Sequence, residues 1–330
     1  MKEEKIDFVI LWVDGTDEKW LAEKKKYKPE LDVSDSIIRF RDWNLLKYWF
    51  RGVEKYAPWV NNIYFVTYGH LPKFLNTKHP KIKIINHKDF MEERYLPTYN
   101  SSAIEMNIGK IKELSEHFVY FNDDMFILKK ISKKDFFKNG LPRDEFAESP
   151  VIAYKTIFPY MLFNNVFQLN LFYNKHKVYK NNITKYFNIK YGLRNFRTLF
   201  ALPYKKFVGF FNAHIPQAFL KSYFDKTWEK CPEVCVNTSL NKFRSKEDVT
   251  QYLVRGFQQL DGKFIPRRIN LGKYFLITNN NKKIIKAIEK RKYKIVCLND
   301  TDDSIDFEHA KKEINEALEK ILPEKSEFEK

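Results

Sequence analysis

Glycine and cysteine are scarce in this chain. Ten glycines among 330 residues exclude a collagen-like or linker-like polymer. Three cysteines, Cys231, Cys235 and Cys297, are an odd number without framework spacing. That excludes a small disulfide scaffold and favours reduced thiols in a reducing compartment. Cys231 and Cys235 sit four apart, with no second pair to complete a zinc site. Long apolar runs are missing as well. The stretch from Val151 to Tyr173 is broken by Lys155, Asn164, Asn165, Gln168 and Asn170, so no membrane-spanning helix is expected. Glu3, Glu4 and Asp7 stand where a signal peptide would be basic and then apolar. A soluble or peripheral protein is the expectation.

The sharpest deficit is local. From Ser149 to Phe224 there is no Asp or Glu, while eleven Lys or Arg and twenty aromatics occur. Aromatic faces with a basic rim suit a saccharide platform, an anionic-lipid contact, or both. An aromatic helical subdomain with lysines turned to solvent would leave the same signature.

What is present describes a folded enzyme-sized chain. Hydrophobic residues make up 44% and aromatics 17%, enough apolar surface to offset chain entropy. The net charge of +17 calls for an anionic partner: nucleic acid, a lipid face, a nucleotide sugar or a phosphate-bearing polymer.

Ile6 to Val13 is a nearly continuous apolar run, the pattern of a strand buried on both faces. It stops at Asp14-Gly15, a turn signal. Asp42 can cap a helix with Leu45, Leu46, Trp49, Phe50 and Val53 on one face. Ile63 to Thr67 and Ile82 to Ile85 read as strands. Ser102 and Glu105 match a capping box. Phe118 to Phe121 is a strand ending in Asn122-Asp123-Asp124. After a lone His214, Pro216 is placed to start a helix, and Ser245 to cap another bearing Val249, Tyr252, Leu253 and Phe257. Tyr274 to Thr278 and Tyr293 to Leu298 read as strands. A last amphipathic helix carries Phe307, Ala310, Ile314, Ala317, Leu318 and Ile321.

This alternation predicts an α/β fold, a mixed or mostly parallel sheet flanked by helices (Rossmann-like or GT-A-like), with a helical, aromatic- and Lys-rich insertion. Residues 1–130 and 205–330 would form the catalytic domain, and 131–204 the insertion. Ligands in such folds gather beyond the carboxyl ends of the strands. The acidic segments at 14–17 and 122–124 sit at such ends, which predicts one shared cleft.

Several residues there have chemistry to offer. Asp123 and Asp124 suit a hard divalent cation, Mg²⁺ or Mn²⁺, able to bridge a diphosphate. Trp12-Val13-Asp14-Gly15-Thr16-Asp17 combines a stacking ring, a close-approach glycine and polar groups. His214, near neutral pKa, could accept a proton from an attacking hydroxyl. Arg244, beside an expected helix start, suits phosphate. Asn299-Asp300-Thr301-Asp302-Asp303-Ser304 is no calcium loop: Ile305 replaces its glycine and Lys311 its bidentate Glu.

Together these segments resemble the four conserved regions of the Stealth family, in the family's order. Ile6 through Asp17 resembles the first. Arg39-Phe40-Arg41-Asp42, Tyr56-Ala57-Pro58-Trp59-Val60, Leu96-Pro97-Thr98-Tyr99-Asn100-Ser101 and Phe121-Asn122-Asp123-Asp124 resemble the second. Asn212-Ala213-His214-Ile215-Pro216 with Phe243-Arg244-Ser245 and Glu247-Asp248 resembles the third. Cys297-Leu298-Asn299-Asp300 resembles the fourth. Asp14 stands where many relatives have Asn. The resemblance implies a bacterial sugar-1-phosphate transferase of capsular or cell-surface polysaccharide synthesis.

On that reading an acceptor hydroxyl attacks the phosphate bearing the donor sugar, an N-acetylhexosamine, in line, and UMP departs. His214 would be the general base and Arg244 the phosphate clamp. Asp123, Asp124 and Asp300 would hold the metal, Asp124 also serving catalysis. Trp12, Asp14, Gly15, Asp17, Arg39, Arg41, Asp42, Asn100, Ser101, Asn122 and Asn299 would bind substrate. The partners would be a nucleotide-sugar donor, an oligosaccharide or polysaccharide acceptor and anionic inner-membrane lipid, but not nucleic acid. The location would be the cytoplasm, peripheral on that membrane's cytoplasmic face. The alternative is a metal-dependent GT-A glycosyltransferase, forming a glycosidic bond and releasing UDP. A basic binding protein without catalysis would need none of the motifs.

Overall fold

The computed structural model describes residues 4–27, 41–300 and 304–330. Strand β1 (Ile6–Leu11) forms from the apolar run at the start and is buried on both faces. Its one acid, Asp7, is fully buried. One carboxylate oxygen accepts from Asn61 Nδ2 (2.7 Å) and the Asn62 amide (3.0 Å), and the other from the Ser115 amide (2.8 Å). Asp7 thus ties together the amino ends of three neighbouring strands, with its charge fully hydrogen-bonded.

The chain continues through α1 (Glu18–Tyr27), α2 (Leu46–Tyr56), β2 (Ile63–Thr67), β3 (Ile82–Asn86), α3 (Ser101–Asn107), β4 (His117–Phe121) and β5 (Met125–Ile127). It then forms α4 (Lys133–Phe136), β6 (Phe137–Lys138), β7 (Leu141–Asp144), α5 (Phe158–Phe172), α6 (Lys175–Tyr186), α7 (Arg194–Ala201) and β8 (Gln217–Leu220). The last third comprises α8 (Ser222–Lys230), α9 (Pro232–Leu240), α10 (Gln251–Leu260), β9 (Ile265–Pro266), β10 (Gly272–Leu276), α11 (Lys282–Glu289), β11 (Ile295–Asn299) and α12 (Phe307–Ile321).

Among the described residues the main sheet runs β3-β2-β1-β4-β8, parallel except for β8, which pairs antiparallel with β4. A second sheet runs β10-β11-β5 and a third β6-β7-β9. The expected α/β class with a mixed, mostly parallel sheet is what the chain adopts. Helices α5, α6 and α7 lie within the acid-free segment. Gly256 on α10 lets Leu169 of α5 close in: a Cβ there would meet Leu169 Cδ1 at 2.3 Å.

Four local expectations need correction. The residues after Pro216 form β8, not a helix, because Ala218, Phe219 and Leu220 are buried against β4. Thr250, not Ser245, caps the helix beyond, accepting from the Tyr252 amide at 3.3 Å. Ser102 and Glu105 are not a capping box. Asn100 caps α3, accepting from the Ser102 amide at 3.0 Å, while Glu105 is buried against Tyr120. Asp42 likewise turns onto the Asn44 amide (2.7 Å), ahead of α2.

Candidate active site

Topology gathers the acidic turns. β1 and β4 are adjacent and parallel, with Ile10 paired to Phe121, so Trp12–Asp17 and Asn122–Asp124 leave the same edge of the sheet. Asn122-Asp123-Asp124 is also where the chain passes from the main sheet into the second one through β5. β8 runs antiparallel to β4, with Gln217 opposite Tyr120, which brings His214 back to that edge. β11 runs antiparallel to β5, with Cys297 opposite Met125, and the Leu298 amide donates to the Asp124 carbonyl at 2.9 Å. Segments far apart in sequence therefore converge on Asp124.

The two carboxylate oxygens of Asp124 differ. Oδ2 lies 3.8 Å from His214 Nε2 and accepts from Cys297 Sγ (3.2 Å) and Asn299 Nδ2 (3.3 Å). Oδ1 is buried and has no hydrogen-bond partner among the described residues, and the same holds for Asn122 Oδ1. The Asp123 side chain reaches solvent, yet protein crowds around its carboxylate. That partial desolvation, then the charge of Asp124 and a smaller contribution from Asp42, raises its pKa to about 7. Crowded acids with idle oxygens are the chemistry a divalent cation relieves.

Asp124, His214 and Cys297 offer ligand atoms within 4.8 Å of one another. Burial and the neighbouring Asp124 hold the Cys297 thiol well above its ordinary range. It is therefore a protonated donor to Asp124, and the side available to a cation is the oxygen side.

His214 has φ +46°, the left-handed region that costs a side-chain-bearing residue free energy and recurs at functional sites. Its ring carries one nitrogen toward Asp124, and Nδ1 stands 3.5 Å from the Tyr252 hydroxyl. Burial opposes its charged form, but the hydrogen bond and charge of Asp124, with the charge of Glu105, outweigh that and raise its pKa. Arg255 of α10 holds the segment from below. It is buried, forms a bidentate pair with Asp144 (2.7 and 2.8 Å), and donates to Asn212 Oδ1 at 2.6 Å. Gly272 lets β10 approach this segment: a Cβ would meet Ile215 Cγ2 at 2.9 Å.

Arg244 donates to Ser101 Oγ from Nη2 (2.6 Å) and Nε (3.2 Å). It lies close enough to Glu105 and His214 for their charges to interact. Its loop is pinned by Asn100, fully buried, whose Nδ2 donates to Asp248 Oδ2 (2.8 Å). Asp248 in turn accepts from the Ser245 amide and Asn241. Tyr99 stacks on Phe243 at 5.3 Å.

Other expected residues hold the cleft's edges. Asp17 accepts from the Trp20 amide (2.7 Å) and caps α1. Asp14 folds its carboxylate onto Thr16 (2.9 Å to the amide), while its own amide donates to His70 Nε2 (2.7 Å). Gly15 is buried between them. Trp12 packs on Phe65 and edge-on to His70. Asp300 Oδ2 accepts from Trp43 Nε1 (3.2 Å) and faces Arg41 (3.7 Å), which also covers Phe307. Arg39, Asp302 and Asp303 lie outside the described residues. Sequence reading missed Arg255 and misread Glu105. Arg255 shares the stripe of Tyr252 and Gln259 on α10, so a charge on an otherwise buried helix face was the available signal.

The chain matches Stealth protein conserved region 1 over residues 4–32, conserved region 2 over 39–144 and conserved region 4 over 286–330. It is 42% identical to the capsular polysaccharide phosphotransferase WcwK of Streptococcus pneumoniae, over 99% of this chain and 98% of that one. It is 41% identical to the exopolysaccharide phosphotransferase cps2G of Lactiplantibacillus plantarum, over 98% and 96%. A solved galactosyltransferase with donor and acceptor sugar analogues aligns over 94% of this chain and 95% of its own, at 9% identity and TM-score 0.40. A likeness that loose carries no argument about chemistry.

Proposed function

The chain belongs to the Stealth family and is a phosphotransferase, and from that premise we propose that it transfers a sugar 1-phosphate from a UDP-sugar to an acceptor sugar hydroxyl. The donor sugar is an N-acetylhexosamine, the product a phosphodiester within a capsular or cell-surface polysaccharide, and the by-product UMP. The reaction belongs to the bacterial cytoplasm.

The observation that carries this reading is the division of labour at Asp124. Its Oδ2 faces His214 Nε2 at 3.8 Å while its Oδ1 stays idle. One oxygen therefore orients the imidazole. With Nε2 turned to Asp124, Nδ1 is left to take the acceptor's proton, and its 3.5 Å contact with Tyr252 is long enough for a sugar hydroxyl to displace. The negative charge of Asp124 then stabilises the imidazolium as the proton arrives.

Asp123, Asp124 and Asn122 would hold a divalent cation, Mg²⁺ or Mn²⁺, which when bound neutralises diphosphate charge. Asp300 would join these ligands, its Oδ2 also holding Arg41 and Trp43 at the cleft. Arg244 offers its guanidinium to the transferring phosphoryl group, whose equatorial oxygens gain most from a fixed fork of donors in the transition state. Trp12, Asp14 and Gly15 line the nucleotide end. Asn100, Asp17 and Asn299 act through the loops and side chains they hold, since each is engaged within the protein.

Incubation with a panel of UDP-sugars and a saccharide acceptor tests this. UMP release with a phosphodiester signal in phosphorus NMR is the expected result. Release of UDP with a glycosidic product would replace this reading with ordinary glycosyl transfer.

A further inference from the structure

The acid-free segment has a use that the chemistry above leaves unassigned. α5 buries Met161, Asn165 and Leu169 and turns Tyr160, Phe163, Phe167 and Leu171 to solvent, the latter three 59%, 51% and 62% exposed. These positions repeat at three and four residues and form one stripe. α7 does the same with Phe196, Leu199 and Phe200, the last 76% exposed. Hydrogen bonds tie α5 to the segment that follows α7. Asn170 of α5 exchanges bonds with the Phe207 backbone (2.9 Å each way) and accepts at its carbonyl from Lys206 Nζ (2.9 Å). Exposed large apolar side chains in such density mark an interaction surface.

Charge selects the occupant. The segment holds no acid from 149 to 224, and Arg197 of α7 is exposed, as are Lys155 just before α5 and Lys205 and Lys206 just after α7. Two copies would bring positive faces together, and nucleic acid could stack on the rings but would leave the aliphatic Leu171 and Leu199 in water. An anionic bilayer accepts both features: rings and leucines enter the acyl boundary while lysines meet the headgroups. No helix among the described residues is long and apolar enough to cross a membrane, so the contact is with its surface.

We propose that the exposed face of α5 and α7 docks this enzyme on an anionic lipid surface. The docking deepens the cytoplasmic placement above. It also sets the site at the membrane, because α5 carries the Arg244 loop: Asn164 Nδ2 donates to the Lys246 carbonyl (2.7 Å), and Lys246 Nζ lies over the Tyr160 ring. An acceptor borne on a lipid anchor would meet the cleft there.

Flotation of the full chain with extruded vesicles tests the idea. Phosphatidylglycerol–phosphatidylcholine vesicles should carry the protein at least about tenfold better than phosphatidylcholine alone, with weakening at about 0.5 M salt. The Phe163→Ser/Phe167→Ser and Lys205→Glu/Lys206→Glu pairs should each lose about tenfold in partition, with unchanged thermal melting. Both should keep UMP release toward a water-soluble acceptor, so loss of that activity in every form would strike the donor chemistry and not the docking. Wild-type protein that stays at the bottom of the gradient overturns the proposal. So do variants that float as well as wild type, or a dimer that only the phenylalanine pair dissolves while flotation persists.

Discussion

Asn100 and Asp248 are 148 positions apart, yet the Asn100 amide donates to the Asp248 carboxylate at 2.8 Å with both residues fully buried. The same amide group caps α3 through its oxygen. One side chain therefore fixes both the helix start bearing Ser101 and the loop bearing Arg244. Asn100→Ala would leave the Asp248 carboxylate short of a donor and cost about 2–3 kcal/mol of stability. Arg244 should lose its orientation as well. Thermal unfolding should show the first effect, and a fall in kcat larger than any rise in KM the second.

His214 offers a separation of fold from chemistry. At φ +46° glycine is at ease and histidine is not, so His214→Gly should leave stability within about 1 kcal/mol of the native chain. Transfer should fall by about 10²–10⁴-fold with the base gone. A glycine variant that is stable and near normal in turnover would remove His214 from the mechanism.

Arg244→Lys keeps the charge but loses the planar fork that now spans Ser101 Oγ through two nitrogens. The expected loss is about 10–10³-fold in kcat with thermal stability little changed. Steady-state kinetics of UMP release reads it directly.

Chelation should abolish transfer, and Mg²⁺ or Mn²⁺ should restore it. Asp123→Asn removes one of two adjacent acids; desolvation first, and the charge of Asp124 second, raise Asp123 to about 7. The variant should therefore need a higher metal concentration for half-maximal rate, by about tenfold. Titration of the apo protein with Mn²⁺, followed by electron paramagnetic resonance, measures the binding without turnover.

His87 predicts an acid-sensitive component of stability. Burial, with a smaller push from His70, lowers its pKa to about 4. The unfolded chain, near 6.5, binds the proton more readily, so stability is full above that value. It declines as pH falls from about 6.5 toward 4, by roughly 3 kcal/mol in all. His87→Gln should flatten urea midpoints across that window, and an unaltered slope would assign the acid sensitivity elsewhere.

Much of this molecule was legible in one dimension. Ile6–Leu11, Ile63–Thr67 and the closing amphipathic helix announce themselves because their periodicity reflects burial that neighbours cannot change. The acidic turns at strand ends were legible for the same reason: polar residues after a buried strand have nowhere else to go. Short-range cap signals proved weaker. Ser102 and Glu105 match a capping pattern, but Asn100 outcompetes Ser102 as the cap and a buried tyrosine hydroxyl claims Glu105. Pro216 allows either a helix or a strand start, and an open edge on β4 chose the strand.

Local patterning by itself determined the long buried strands and the amphipathic helices, and which residues are chemically able to serve. Only the tertiary structure decided that Asp124, His214 and Arg244 come together, that Asn100 is tied to Asp248 and that Arg255 holds Asn212. Burial patterns depend on the nearest few residues. Cleft geometry depends on strand order and on single hydrogen bonds across more than a hundred positions, and a linear pattern carries no term for those distances.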